Sequence, residues 1–278
     1  MDTLALVSMQ HEPQFVEIGQ DSKRQASKRR RIAYRFDEGQ DASSPAVFWL
    51  SGFLSDMAST KVSALSAWAK HEGHAMLCFD YSGHGVSGGD ILKASVGDWL
   101  EEAATMLELL KGRRVILVGS SLGGWIGLLL ARALAKSGDA RLGGLVLIAP
   151  AWDMTEKLMW EKMSEKTRVI VETEGVFYAP SDYDDAYPLT KVLIEEGRNH
   201  LLAAGGIEVG CPVRILQGLR DEDVPWQHAL ALVDLIEGDD VEITLVKDGN
   251  HRLSSPEDLR RLTRTVGALI ETAASPSA

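Results

Sequence analysis

Short apolar runs recur along the chain, each followed by a stretch in which apolar positions return every three or four residues. The runs at 46–50, 75–80, 115–119, 144–149, 213–217 and 241–246 have the length and composition of buried strands. The stretches at 61–72, 96–110, 125–135, 226–236 and 256–272 have helical periodicity. In 96–110 the apolar stripe falls on Val96, Leu100, Ala103, Ala104, Leu107 and Leu110. Strands alternating with helices predict an α/β architecture, a mostly parallel sheet with helices on both faces. Ahead of it, 14–19 and 31–36 read as the strands of an N-terminal hairpin.

The stretch 152–208 breaks the alternation. It is charged and helical, carries Pro180, Pro188 and an acidic turn at 181–185, and has few β-type runs. It is expected to add no strand to the sheet and to form, over about 152–205, a helical lid on a single domain spanning 1–278. Met154, Leu158, Met159, Trp160 and Met163 either line the underside of that lid or pack as ordinary core. The tail beyond Glu271 is expected to fray.

The chemistry enters at Gly119-Ser120-Ser121-Leu122-Gly123, between an apolar strand and a helix. G-x-S-x-G in that setting puts Ser121 on a tight turn with its hydroxyl at the C-terminal edge of the sheet. A serine needs an imidazole to take its proton and a carboxylate to orient that imidazole. Two later strands end in polar loops that offer them, Asp221 after 213–217 and His251 after 241–246. In a parallel sheet all three loops leave from one edge. Asp223 stands beside Asp221 and is the alternative acid. An N-cap serine and a surface histidine are the plain alternatives for Ser121 and His251.

Composition narrows the partners. A net charge of −11 argues against nucleic acid. Two cysteines, Cys78 in a strand and Cys211 before Pro212, read as structural thiols, and no Cys/His cluster has metal spacing. No cofactor is implied, and no run is long and apolar enough to span a membrane. The basic run within 20–31 reads as a solvated hairpin or strand edge. Asp2, Glu12 and Glu17 ahead of it argue against a mitochondrial leader, so the expected location is the cytoplasm.

The order Ser121, Asp221, His251, the loop from Asp80 to Ser87 and the segment from Gly218 to Pro225 resemble the α/β-hydrolase superfamily. Three segments, 52–57, 79–83 and 247–251, resemble more narrowly the branch of the mitochondrial palmitoyl-protein thioesterases and acyl-glucuronide esterases, with its bacterial relatives. The resemblance implies an acyl hydrolase of esters or thioesters that uses Ser121 as nucleophile, His251 as base and Asp221 as its orienter. The acid's spacing before Val224-Pro225 favours Asp221. Backbone N–H groups of Phe53 and Leu122 would form the oxyanion hole. The substrate would be a small acyl ester or thioester, or an acylated protein. A general small-ester carboxylesterase and a non-catalytic binding module stay open. Where many members carry His-Gly before the oxyanion residue, this chain has Ser51-Gly52. His84 is expected to shape its loop, with Asp80 and Ser87 tying it, and Trp125 to lie in the core or the pocket wall.

Overall fold

The computed structural model describes residues 12–19, 29–180, 186–202 and 205–274. The chain begins with β1 (Gln14–Ile18), β2 (Arg30–Asp37) and β3 (Ala46–Leu50), then α1 (Thr60–Glu72), β4 (Met76–Phe79) and α2 (Val96–Leu107). Next come β5 (Val115–Ser120), α3 (Leu122–Ser137) and β6 (Leu142–Ile148). The segment that follows holds a π-helical stretch (Met154–Trp160), α4 (Glu165–Glu174), β7 (Val176–Ala179), β8 (Tyr187–Thr190), α5 (Lys191–Gly197) and β9 (Ile207–Glu208). The chain closes with β10 (Val213–Gly218), α6 (Trp226–Leu235), β11 (Ile236–Glu237), β12 (Val241–Val246) and α7 (Pro256–Ala274).

Eight strands form the main sheet in the order β1-β2-β4-β3-β5-β6-β10-β12. The pairs β1–β2 and β2–β4 are antiparallel, and the others are parallel. Burial on both faces explains the continuous apolar runs. Phe48, Leu50, Leu77, Phe79 and Leu117 face one core with α2, α3 and α6, whereas Val47, Trp49, Cys78, Ile116 and Val118 face the other with α1 and α7. The alternation is the period of two that a strand imposes. Burial pushes the thiols of Cys78 and Cys211 up to about 12, which leaves both protonated at neutral pH. Among the described residues, no helix is long and apolar enough to cross a membrane.

Three details differ from the sequence reading. The hairpin β1–β2 forms, but the basic run is not simply solvated. The Arg30 side chain is only 11% exposed and pairs with Asp98 (2.8 Å), Glu102 (2.7 Å) and Glu101 of α2. Three carboxylates crowded on one helix face need a cation, and Arg30 supplies it. Arg31 lies over the Phe15 ring, 3.5 Å from its centroid, and residues 20–28 lie outside the described part. Second, the segment between β6 and β9 is not purely helical, since β7 and β8 pair as a small antiparallel hairpin apart from the main sheet. Strands of four residues are too short to leave a readable alternation. The acidic turn 181–185 lies outside the described residues. Third, α7 continues past Glu271 to Ala274, with Ala273 buried. Of the tail expected to fray, 275–278 lie outside the described residues.

Candidate active site

Ser121 sits between β5 and α3 with φ 54° and ψ −116°, a conformation that costs an L-residue about 1–3 kcal/mol. Its surroundings hold it there. Its N–H donates to Ile148 O (2.9 Å), and its carbonyl accepts from Gly124 (2.9 Å) and Ala151 (3.1 Å). The flanking glycines are required by close approach. A Cβ on Gly123 would press into the Leu50 carbonyl, and one on Gly119 into that of Gly123. Ser120, the neighbouring hydroxyl, belongs to β5.

The loops after β10 and β12 bring Asp221 and His251 to this turn, tied together by Leu219 N–H to Val246 O and Arg220 N–H to Gly249 O, both 2.9 Å. His251 Nδ1 lies 2.9 Å from Asp221 Oδ2, and Nε2 lies 3.2 Å from Ser121 Oγ. Facing a carboxylate that can only accept, Nδ1 carries the proton, which leaves Nε2 free to accept from the serine. The Asp221 side chain is fully buried, while that of His251 is 20% exposed. Asp221 Oδ1 accepts from Asp223 N–H (3.0 Å) and Val224 N–H (2.8 Å). Its Oδ2 also accepts from Gln217 Nε2 (3.1 Å). The alternative acid, Asp223, is exposed and contributes its backbone instead. Asp221, Asp223 and His251 each bring one metal-ligand type atom within 4.8 Å of the others, but both nitrogens of the imidazole already face Asp221 and Ser121.

Gln217 is a site residue that the sequence reading missed. It is fully buried at the end of β10 and its amide also reaches Gly218 O and Val224 O. The available signal was a lone uncharged polar residue closing an apolar strand.

The loop after β3 lies against the nucleophile turn. A Cβ on Gly52 would stand 3.4 Å from Ser121 Cβ. Phe53 follows, and Leu122 opens α3, where first-turn N–H groups have no intrahelical acceptor. The Phe53 ring meets His84 and Trp99 at 6.0 Å and Tyr187 of β8 at 6.4 Å. The loop after β4 supports this cluster. Asp80 accepts from Met57 N–H (2.7 Å) and Val86 N–H (2.9 Å), and Ser87 Oγ donates to Asp80 O (2.6 Å). His84 Nδ1 donates to Ser82 O at 3.1 Å. Burial pushes the pKa of His84 down and keeps it neutral, as a packing residue among rings. Glu102 accepts from Ser82 N–H (2.9 Å), and its burial raises its pKa to about 7.

The segment after β6 is fastened at both ends. Trp152 stacks on His228 of α6 at 4.5 Å. Its Nε1 donates to His228 O (2.9 Å), and His228 Nε2 donates to Trp152 O (2.8 Å). Asp153 Oδ1 accepts from Leu202 N–H at 2.7 Å. Trp125 is a core residue whose Nε1 also donates to His200 O (3.3 Å). Met154 is buried, and Leu158 and Met159 pack on the core, but Trp160 is flanked by the guanidinium groups of Arg168 and Arg198 at 5.3 and 5.0 Å.

Residues 42–179 match the family described as serine aminopeptidase, S33. The mouse palmitoyl-protein thioesterase ABHD10, mitochondrial, is 35% identical over 244 residues, covering 86% of this chain and 79% of that protein. A crystal structure of a putative hydrolase from Agrobacterium vitis S4 is 41% identical with a TM-score of 0.88, covering 93% of this chain and 98% of its own. The structure of mouse alpha/beta hydrolase domain-containing protein 10 is 32% identical with a TM-score of 0.81, covering 94% and 99%. With this identity over nearly its whole length, the chain belongs to the α/β-hydrolase family, in the branch that includes ABHD10.

Proposed function

We propose that the protein cleaves acyl esters and thioesters through Ser121, His251 and Asp221. The observation that carries this reading is the unbroken line Asp221–His251–Ser121, at 2.9 and 3.2 Å, ending on a serine held at positive φ. His251 Nε2 takes the Ser121 proton as Oγ attacks the acyl carbon. The carbonyl oxygen becomes an oxyanion held by the N–H groups of Phe53 and Leu122. The imidazolium is stabilised by Asp221 and gives its proton to the departing thiolate or alkoxide, leaving an acyl-Ser121 ester. Water, deprotonated by His251, then releases the acid. No cofactor takes part.

The segment 152–205 acts as a cap on a single hydrolase domain. Tyr187 brings it against the Phe53 ring. An acyl thioester, free or on a protein, is the preferred substrate, supported by relatives named palmitoyl-protein thioesterase. Those relatives are also named mitochondrial. Cell fractionation decides between that location and the cytoplasm for this chain.

The deciding experiment compares hydrolysis of an octanoyl thioester with that of an octanoyl ester, with Ser121→Ala as the blank. A thioester preference beyond intrinsic reactivity supports the deacylase reading, and equal rates or an ester preference point to a general carboxylesterase. Failure of a fluorophosphonate probe to label folded protein at Ser121 would overturn the enzymatic mechanism in favour of a binding module.

A further inference from the structure

Lys61 breaks two local rules. It lies in the first turn of α1, the helix end where the backbone dipole disfavours a cation, and no acidic residue shares that turn. It lines a crevice with Ile148, Leu216, Val246, Leu253 and Leu262, with Asp258 and Arg261 at its charged side, and its side chain is half-buried there. Both placements cost free energy. A residue that violates local preference in a well-packed region has a compensating contact elsewhere.

That contact is with the loop after β12. Lys61 Nζ donates to the carbonyl of Arg252 at 2.5 Å, across 191 residues of sequence. Arg252 directly follows His251. The next residue, Leu253, is buried at φ 41°, a left-handed conformation unfavourable for a branched side chain, and its N–H closes a turn onto Asn250 O at 3.3 Å. His251 therefore sits inside a tight, strained turn, and its ring must reach Asp221 with one nitrogen and Ser121 with the other. Lys61 grips the carbonyl that joins Arg252 to the strained Leu253. The amine is faced by the carboxylates of Asp221 and Asp258, which favour its charge, and by the guanidinium of Arg252, which opposes it. Arg261 of α7 lines the same crevice. Burial outweighs the carboxylates and pulls its pKa down to about 8. The segment from Phe53 to Lys61 thus touches both halves of the site, with the oxyanion loop at its start and the histidine loop at its end.

We propose that Lys61 is a positioning residue: by holding the Arg252 carbonyl it fixes the turn 250–253 and the angle at which His251 faces Ser121. The proposal rests on the reading of Ser121, His251 and Asp221 as the catalytic triad. Because reaction falls steeply with misplacement of a catalytic group, Lys61→Met in the full chain is expected to lower kcat on p-nitrophenyl octanoate by about 10- to 100-fold. KM should stay within about twofold, since the substrate's own contacts are untouched. The low-field proton resonance of His251 Nδ1–H, a signature of its bond to Asp221, should broaden or vanish. Lys61→Arg, which keeps a cationic donor, should restore most of the rate and the resonance.

A Lys61→Met protein that turns over at the wild-type rate with the resonance intact overturns the proposal, as does Lys61→Arg failing as badly as methionine. If Lys61→Met does not fold, Lys61→Gln, whose amide is too short to reach Arg252, carries the same expectations. Loss of folding in both makes Lys61 a structural residue and also overturns it. Ser121→Ala separates the two readings. If that variant still hydrolyses the ester, the triad itself fails. If it is inactive while Lys61→Met is unimpaired, only the role of Lys61 fails.

Discussion

Replacing Asp221 by asparagine isolates the tautomer of His251. One oxygen of Asp221 receives the backbone N–H groups of Asp223 and Val224, and the other receives Gln217 Nε2 and His251 Nδ1. Four donors converge on a group that can only accept. An asparagine must point its NH2 at one pair. Turned toward the backbone, it meets two fixed N–H groups that cannot rotate. Turned the other way, it meets Gln217 and the imidazole, and the imidazole can respond by moving its proton to Nε2. That response is the cheaper one, and it sets an N–H against Ser121 Oγ where an acceptor is needed. A wrong tautomer costs about four orders of magnitude in kcat, or about 5 kcal/mol of barrier. Folding should survive, because the side chain keeps its volume and either pair of contacts. The assay is steady-state hydrolysis of octanoyl thioester with parallel fluorophosphonate labelling, on Asp221→Asn and Asp223→Asn. Asp223 is exposed and supplies only its backbone N–H, so its variant should stay within about threefold of wild type, the scale of a surface charge effect. An Asp221→Asn enzyme retaining a tenth of its rate, or an Asp223→Asn enzyme equally disabled, would refute the argument.

Three further outcomes follow from groups around the site. Glu102 has its pKa raised from 4.5 to about 7 by burial, so its contribution to stability is fully present below 4.5 and lost as pH rises through 7. Glu102→Gln should gain stability relative to wild type between pH 5 and pH 8, read as the unfolding free energy from urea titration at each pH; equal differences at both pH values would contradict this. Gly123→Ala should abolish soluble, cooperatively folding protein, read by circular dichroism, because its Cβ would enter the Leu50 carbonyl. Trp152→Phe removes the hydrogen bond to His228 O while keeping a ring to stack. It should cost about 1–2 kcal/mol and speed limited proteolysis between 153 and 202.

What was legible in the sequence depended on range. The central strands were readable because both faces are buried, so 46–50 and 115–119 appear as unbroken apolar runs. Ser121, Asp221 and His251 were readable because each closes a strand and the chain order is distinctive, and the structure brings the three together. The contacts that hold them were not. Lys61 to Arg252, Arg30 to the carboxylates of α2 and Trp152 to His228 join residues far apart in the chain, and no periodicity reports such pairs. Gln217 left a faint mark as a polar residue ending an apolar strand. The β7–β8 hairpin left none, since four residues do not establish a period. Glu102 looked like any helix-surface glutamate, although it is buried, because Arg30 arrives from a strand that the helix pattern does not mention.

The carboxylate of Asp153 holds Leu202 N–H at 2.7 Å, which makes the intervening stretch a closed loop with a shared doorstep. Between these two residues the segment touches the domain below at a few places, through Leu158, Met159, Tyr187 and the carbonyl of His200. A foreign segment ending in the same Trp-Asp at one side and a backbone N–H at the other would meet the same anchor. On the proposed reading of 152–205 as a cap, a graft that kept this anchor and those few contacts would change the surface offered to the substrate and leave the serine and the histidine where they are.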